Sequence, residues 1–228
     1  MQIFRTEGVI LHALDFQEYD QILTVFSADQ GLVKFIVKKA HSIHRKKGVT
    51  TTPLTRAEFV YRKGNSDLLS CREISVIDQH LKLRKNLESL EAACGLIQAI
   101  QKSQFQGKPA PLLYQLLLRY LDAIPLFSSP EILEVSFRLK LVRHEGYLAL
   151  SDQCATCKAP LSVMHLIQGE NFCEKHAMGR GFSFSEEETR LFILLAFCRS
   201  LSELQLFPLP LGFHEKVHQF FDEVISLA

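Results

Sequence analysis

The sequence predicts an α+β chain of two parts, a five-stranded barrel over residues 1–80 followed by an all-α domain over residues 81–228. Three observations carry that reading. Up to residue 80 apolar side chains alternate singly, the period of a strand with one buried face. From Leu81 they recur at spacings of four and three, the period of a helix face. At about residues 151–180 the helical part is interrupted by two tight pairs of metal-ligating residue types. A length of 228 residues allows one large domain or two small ones, and an apolar fraction of 47% is ample for a packed core.

The strands follow in order. Gly8-Val-Ile-Leu11 is the centre of the first. Asp20 to Ser27 alternates Ile22, Thr24 and Phe26 against Leu23 and Val25, and Gln30-Gly31 turns the chain. Leu32 to Lys38 sets Val33, Phe35 and Val37 on one face and Lys34, Ile36 and Lys38 on the other. After a loop from Ala40 to Thr52, Pro53 opens a strand in which Ala57, Phe59 and Tyr61 oppose Arg56, Glu58 and Arg62. Lys63-Gly64-Asn65-Ser66 is a hairpin turn into Leu68–Ile77. Five short strands in about eighty residues suggest closure, and the OB-fold is the common five-stranded answer.

The helices start where the period changes. Leu83, Leu87, Leu90, Cys94 and Ile97 make the first stripe, broken at Gly107-Lys-Pro109. The second carries Leu112, Leu113, Leu116, Leu117, Tyr120, Leu121 and Ile124 and stops before Pro125. Pro130 begins a third, with Val135, Leu139 and Val142 inward and Gly146 ending it. Ser185-Glu-Glu-Glu188 reads as a capping box opening a helix through Cys198, and a last helix spans about Phe213 to Ile225.

Between the third and fourth helices stands Cys154-Ala-Thr-Cys157, then fifteen residues, then Cys173-Glu-Lys-His176. Two such pairs are what a tetrahedral zinc ion needs, each supplying two ligands from one turn. Four protein ligands leave no open coordination position, so the expected Zn2+ is structural. The loop between them has turn formers at Pro160, Gly169 and Asn171, and Leu161 to Ile167 can form a short strand. A disulfide is the competing reading, and nothing else in the chain looks secreted. His165 is a possible rival ligand, although a lone histidine on a strand is more often an ordinary surface or core residue.

The net charge of +1 hides an uneven distribution. Residues 1–33 hold one Arg and five acids, residues 34–63 nine Lys or Arg and one Glu, and residues 181–228 three basic groups and seven acids. A basic block of that density is a candidate phosphate-binding surface, the alternative being a solvated loop. The start lacks a signal peptide's layout and the chain has no long apolar run, so a cytoplasmic protein without membrane partners is expected.

Three stretches resemble the DNA repair protein RecO family of bacteria. They are Glu18-Tyr-Asp-Gln-Ile-Leu-Thr-Val-Phe26 with Gly31-Leu-Val-Lys34 and Lys38-Lys39-Ala40-His41; Phe137-Arg-Leu-Lys-Leu-Val-Arg-His-Glu-Gly146-Tyr147; and the Cys154, Cys157, Cys173, His176 set. Two departures stand out. Lys39 and His41 replace the Gly and Arg of the family's Lys-Gly-Ala-Arg, and the fourth ligand is His where the family more often shows Cys. The resemblance implies a recombination mediator of the RecF pathway, associated with the nucleoid, that binds single- and double-stranded DNA and anneals strands. With RecR it would help load RecA onto DNA coated by single-strand-binding protein, whose acidic C-terminal tail it would recognise. The residues expected to meet DNA are Lys34, Lys38, Lys39, His41, Arg45, Lys46, Lys47, Arg56, Arg62 and Lys63. Arg119, Arg138, Lys140 and Arg143 are candidates to line a pocket for the tail.

An enzyme is not expected. There is no nucleophile–base arrangement with a supporting turn, no phosphate-cradling glycine loop and no paired carboxylates suited to two metals. The rival binding reading is an RNA-binding or transcription-associated module, since small barrels also take RNA. Phe35, Phe59 and Tyr61 fall on the inward parity, which favours core over stacking platform.

Overall fold

The computed structural model describes residues 2–40, 51–64 and 67–226. The chain divides into two compact units, Met1–Pro125 and Leu126–Ala228.

The first unit is built on strands β1 (Phe4–Phe16), β2 (Asp20–Ser27), β3 (Gly31–Val37), β4 (Arg56–Arg62) and β5 (Leu68–Asp78), closed in the order β1-β2-β3-β5-β4. All neighbours are antiparallel except β3 and β5, whose parallel pairing runs from Lys34 opposite Leu68 to Val37 opposite Cys71. This is the predicted OB-type barrel. Period-two alternation sends Val33, Phe35 and Val37 inward from β3 and Ala57, Phe59 and Tyr61 inward from β4. The Phe35 and Phe59 rings stack at 5.1 Å, with Tyr61 tilted against Phe35 at 5.2 Å. Gly8 has no room for a side chain, since a Cβ there would lie 2.4 Å from Val25 Cγ1 and 2.8 Å from the Phe26 carbonyl oxygen.

Helices α1 (Leu87–Ser103) and α2 (Pro111–Ala123) pack within this unit, which runs to Pro125. On β2, Leu23 and Val25 face the barrel core, while Phe26 points outward and is buried beneath Tyr114 of α2, ring centroids 6.1 Å apart. The Tyr114 hydroxyl donates to Glu7 Oε1 at 2.8 Å, and Arg56 reaches the same oxygen at 2.8 Å. Burial pushes the Tyr114 phenol far above its ordinary range, reinforced by that carboxylate. The α1–α2 connection is tied down by Gly107 N–H to Leu32 O and Ala110 N–H to Ala28 O.

The first helical stripe differs in phase from the periodicity that predicts it. Leu81–Lys85 is a 3-10 turn, Asn86 caps α1 by accepting from the Glu88 N–H, and the buried face is Ala92, Ala93, Leu96, Ile97 and Ile100, with Leu87 exposed. Three residues per turn across that segment shift the phase of whatever follows.

The second unit holds α3 (Glu131–His144), a single turn α4 (Glu174–Ala177), α5 (Glu186–Phe197) and α6 (Phe213–Ser226). A three-stranded antiparallel sheet, β6 (Met164–Ile167), β7 (Glu170–Phe172) and β8 (Phe182–Phe184) in the order β7-β6-β8, joins them where one short strand is expected from the sequence. Asn171 is buried within β7 and is not a turn former. The turn falls at Gln168 and Gly169, both at positive φ. The Ser185 capping box forms as predicted, and Gly146 follows α3 at φ 84°.

Helix α3 is buried almost all round, including Glu134, Ser136 and Arg138. Its polar groups must therefore find partners inside the protein. Ser136 Oγ donates to Leu195 O at 2.8 Å, Lys140 Nζ to Cys198 O at 2.7 Å and Arg143 Nη1 to Ala196 O at 2.9 Å, so three side chains of α3 cap the carboxyl end of α5. Glu134 takes Arg138 Nη2 at 2.9 Å, His218 Nε2 at 3.1 Å and His214 Nε2 at 3.4 Å. Burial acts to raise this carboxyl, but the hydrogen bond from His214, the adjacent His218 imidazole and the Arg138 charge hold it well below the usual range. His214 is raised above its ordinary 6.5, first by its bond to Glu134 against desolvation, then by the charges of Glu134 and Glu131.

These shifts set the sign of the pH dependence. The depressed Glu134 contributes stability above about pH 4.5, lost as pH falls through its folded pKa. The raised His214 contributes below about pH 6.5, lost as pH rises through its folded pKa. Glu134→Gln is expected to destabilise the second unit by about 3–5 kcal/mol, because it removes the negative charge that faces buried Arg138. Denaturant melts at pH 5.5 and 8.5 should show wild type losing stability at the higher pH, with that loss much reduced in the variant.

Candidate nucleic-acid face and metal centre

The four predicted metal ligands come together in the second unit. One ligand atom from each of Cys154, Cys157, Cys173 and His176 lies within 4.8 Å of every other. The Cys157 and Cys173 sulfurs are 3.9 Å apart, and His176 Nδ1 lies 3.6 Å from Cys154 Sγ and 3.2 Å from Cys173 Sγ. Bonds of about 2.3 Å to sulfur and about 2.0 Å to nitrogen put tetrahedral ligands roughly 3.4–3.8 Å apart, so the donor set fits one ion. No disulfide joins any cysteine of the chain, and His165, on β6, is not part of the cluster.

Two turns hold the ligands. After Cys154 the chain folds back through Lys158 at φ 59°, with Lys158 N–H to Cys154 O at 3.0 Å and Cys154 N–H to Ala159 O at 2.9 Å. After Cys173, His176 N–H and Ala177 N–H both reach Cys173 O, which makes α4 and brings the imidazole back over the cysteine. Asn171 fixes one turn to the other. Its carbonyl accepts from Ala155 N–H at 2.8 Å, its amide donates to Ser151 O at 3.0 Å, and its Oδ1 accepts from His165 N–H at 3.2 Å. Burial acts to raise the Cys154 thiol, but N–H groups of Cys157, Cys173 and Thr156 aimed at the sulfur hold it down at about 5. Thiolate is the form that binds metal.

The basic residues of the first unit are distributed more widely. Lys34 is exposed on the outer face of β3, opposite Thr24 of β2 and Leu68 of β5. Lys38 and Lys39 are exposed just beyond the other end of β3. Lys39 adopts φ 54°, and its N–H donates to Asp20 Oδ1 at 2.9 Å. Lys39 thus takes the left-handed conformation that glycine adopts more readily. Arg62 is half-buried on β4, and Lys63 lies over the Phe4 ring at 5.1 Å. Arg56 is committed to Glu7, whose bond and charge raise its pKa against desolvation. His41, Arg45, Lys46 and Lys47 lie outside the described residues.

Three exposed groups escape sequence reasoning. Phe16 and Tyr19 flank the β1–β2 turn with 38% and 61% of their surfaces open, beside Leu14 at 53%. Arg72 is exposed on β5, next to Cys71, which pairs with Val37 one residue before Lys38. Its outward parity beside a buried cysteine is the available signal. The cationic residues expected to line an acidic-tail pocket fare differently: Arg138, Lys140 and Arg143 serve Glu134 and the end of α5. Among the described residues no helix is long and apolar enough to cross a membrane.

Comparison with known proteins matches residues 1–80 to the family model described as Recombination protein O N terminal, and residues 84–227 to Recombination protein O C terminal. The chain is 29% identical to the DNA repair protein RecO of Chlamydia pneumoniae over 98% of its own length and 89% of that protein's. It is 29% identical to the protein of the same name from Chlamydia trachomatis serovar D, covering 96% and 91%. Against the namesake from Geobacter metallireducens it is 30% identical, covering 71% and 66%.

A strong chelator should loosen the second unit, since metal binding stabilises only the folded ligand arrangement. Cys173→Ser should lose the ion and lower the thermal midpoint together, measured by elemental analysis and circular dichroism. Asn171→Ala, which removes the side-chain bonds to Ser151 and His165 and keeps the backbone bond to Ala155, should lower the thermal midpoint of the second unit by leaving buried polar groups unpaired.

Proposed function

The chain belongs to the RecO family, and on that premise we propose that it is a recombination mediator in DNA repair that binds and anneals DNA strands and performs no covalent chemistry of its own. In this reading it works with RecR to help load RecA onto single strands coated by single-strand-binding protein, engages that protein's acidic tail, and acts in the cytoplasm at the nucleoid. The ion of the Cys3His centre is Zn2+. Soft thiolates favour it, and four protein ligands give it a structural role.

One observation supports the nucleic-acid part above others. The outer surface of β1, β2 and β3 is left open at one end and mixes exposed apolar with cationic groups. Cross-strand register lines up Leu14, Ile22 and Ile36 as one row and His12, Thr24 and Lys34 as the next, with Phe16 and Tyr19 at the turn and Lys38, Lys39 and Arg72 close by in register. Small barrels of this topology bind oligonucleotides on the β2–β3 face, cations following the backbone and aromatics receiving bases. The two effects separate experimentally. Lys34→Ala with Lys38→Ala should lower the log–log salt slope for single-stranded DNA by roughly 0.7 for each phosphate no longer neutralised. Phe16→Ala with Tyr19→Ala should leave that slope unchanged and weaken binding by about 1–3 kcal/mol per base unstacked. Arg180→Ala, in the other unit, serves as control. Equal affinity and slope in both double variants would remove this face from the reading, and tighter binding to RNA of equal length would favour the RNA module.

A further inference from the structure

We propose that Asp78, His80 and Asp122 form a second metal site in the first unit, for a first-row dication of the Mn2+ or Zn2+ class. The three residues converge from separate places: Asp78 ends β5, His80 begins the turn after it, and Asp122 lies on the last turn of α2. One ligand atom from each lies within 4.8 Å of the others. They line a groove of about 520 Å³, shared with Leu81, Lys82 and Leu121.

The histidine carries the argument. Its side chain is only 5% exposed, and Nδ1 lies 2.8 Å from the Leu54 carbonyl oxygen. In the neutral ring Nδ1 therefore holds the proton, which leaves the Nε2 lone pair outward. Nε2 faces Asp122 Oδ1 at 3.7 Å, within ion-pair reach and too far for a hydrogen bond. A buried imidazole whose far nitrogen is bonded to a backbone carbonyl is the arrangement that orients metal-ligating histidines. The carbonyl is itself anchored, because Leu54 N–H donates to Ile10 O at 2.8 Å. Asp78 Oδ1 accepts the His80 N–H at 2.7 Å, so its other oxygen is available to an ion. His80 holds φ 45° and ψ 44°, an unfavourable conformation for a residue other than glycine, and it is this backbone that sets the imidazole between the two carboxylates.

Ligand chemistry selects the ion. Two carboxylates and one imidazole suit Mn2+ or Zn2+ better than the all-oxygen preferences of Ca2+ and Mg2+, and three protein ligands leave positions for water or another oxygen donor. Lys82 lines the same groove and is the cation that a bound metal would have to outcompete.

Mn2+ is the probe, because the thiolate centre with its zinc in place takes it poorly. The zinc-loaded full chain, titrated with Mn2+ and followed by the free-ion electron paramagnetic resonance signal, should bind one Mn2+ per chain saturably. Asp122→Asn, a surface change that does not threaten folding, should weaken that binding by ~10-fold or more, and His80→Gln likewise. Absence of saturable binding up to millimolar Mn2+ would overturn the proposal, as would undiminished binding in Asp122→Asn. Loss of binding in Glu134→Gln with retention in Asp122→Asn would also overturn it, by placing the ion at the Glu134, His214 and His218 cluster.

Discussion

Closure of the barrel through the parallel pairing of β3 with β5 is the constraint on which the first unit rests. Antiparallel neighbours alone would leave β3 and β5 as edges, each with a row of unpaired backbone groups. Pairing Lys34 through Val37 with Leu68 through Cys71 removes both edges and fixes which residues point inward. Once the inside holds Phe35, Phe59 and Tyr61, a slip of one residue along β3 would bring Lys34 and Ile36 into the core. The outward residues then divide according to what covers them. Where α2 lies over the barrel, Phe26 is sealed beneath Tyr114; nearer the β1–β2 turn, Leu14, Phe16 and Tyr19 stay open. Exposed apolar side chains remain on this barrel where no helix covers them.

The second unit answers a different constraint. Helix α3 is enclosed along most of its length, yet it buries Glu134, Ser136 and Arg138 and carries Lys140 and Arg143 near its end. Those groups direct their hydrogen bonds to α5 and α6, so the packing of three helices is specified by polar pairing as well as by apolar surface. The sheet beside them cannot rely on size, its strands being three or four residues long. Such short strands need a second source of order. Hydrogen bonds supply part of it: Asn171 ties β7 to β6 through His165 and to the chain before Cys154 through Ser151, and its backbone carbonyl holds Ala155 of the first ligand turn.

Much of this is legible in the sequence, and the reasons for the rest are physical. Strands are readable because a closed barrel has one dry face, which imposes alternation. The metal ligands are readable because paired spacing survives whatever fold surrounds it. The phase of α1 is not, because the 3-10 turn at Leu81–Lys85 looks apolar-periodic while advancing at a different angle. Strands β7 and β8 escape because three residues hold too little pattern to register. Phe16 and Tyr19 escape because exposure depends on what distant parts of the chain pack over a strand, which no local periodicity records. His80 gives no signal at all: its distinction lies in a carbonyl 26 residues away and a carboxylate on another helix.

Charge is the property that sequence states most plainly and structure most revises. The block from 34 to 63 counts nine cations, but Arg56 is neutralised by Glu7. The acidic stretch from 181 onward counts seven acids, but Glu188 takes Lys216 and Glu186 takes Arg190. A phosphate approaching the surface responds to what remains after internal pairing and not to the totals. An arginine already bonded to a partly buried carboxylate must break that bond before it can serve a ligand, whereas a solvated lysine such as Lys34 gives up only water and a counterion. Cations that hold the fold together and cations left solvated are thus separable populations. The segments richest in charge are also where the two are most easily confused.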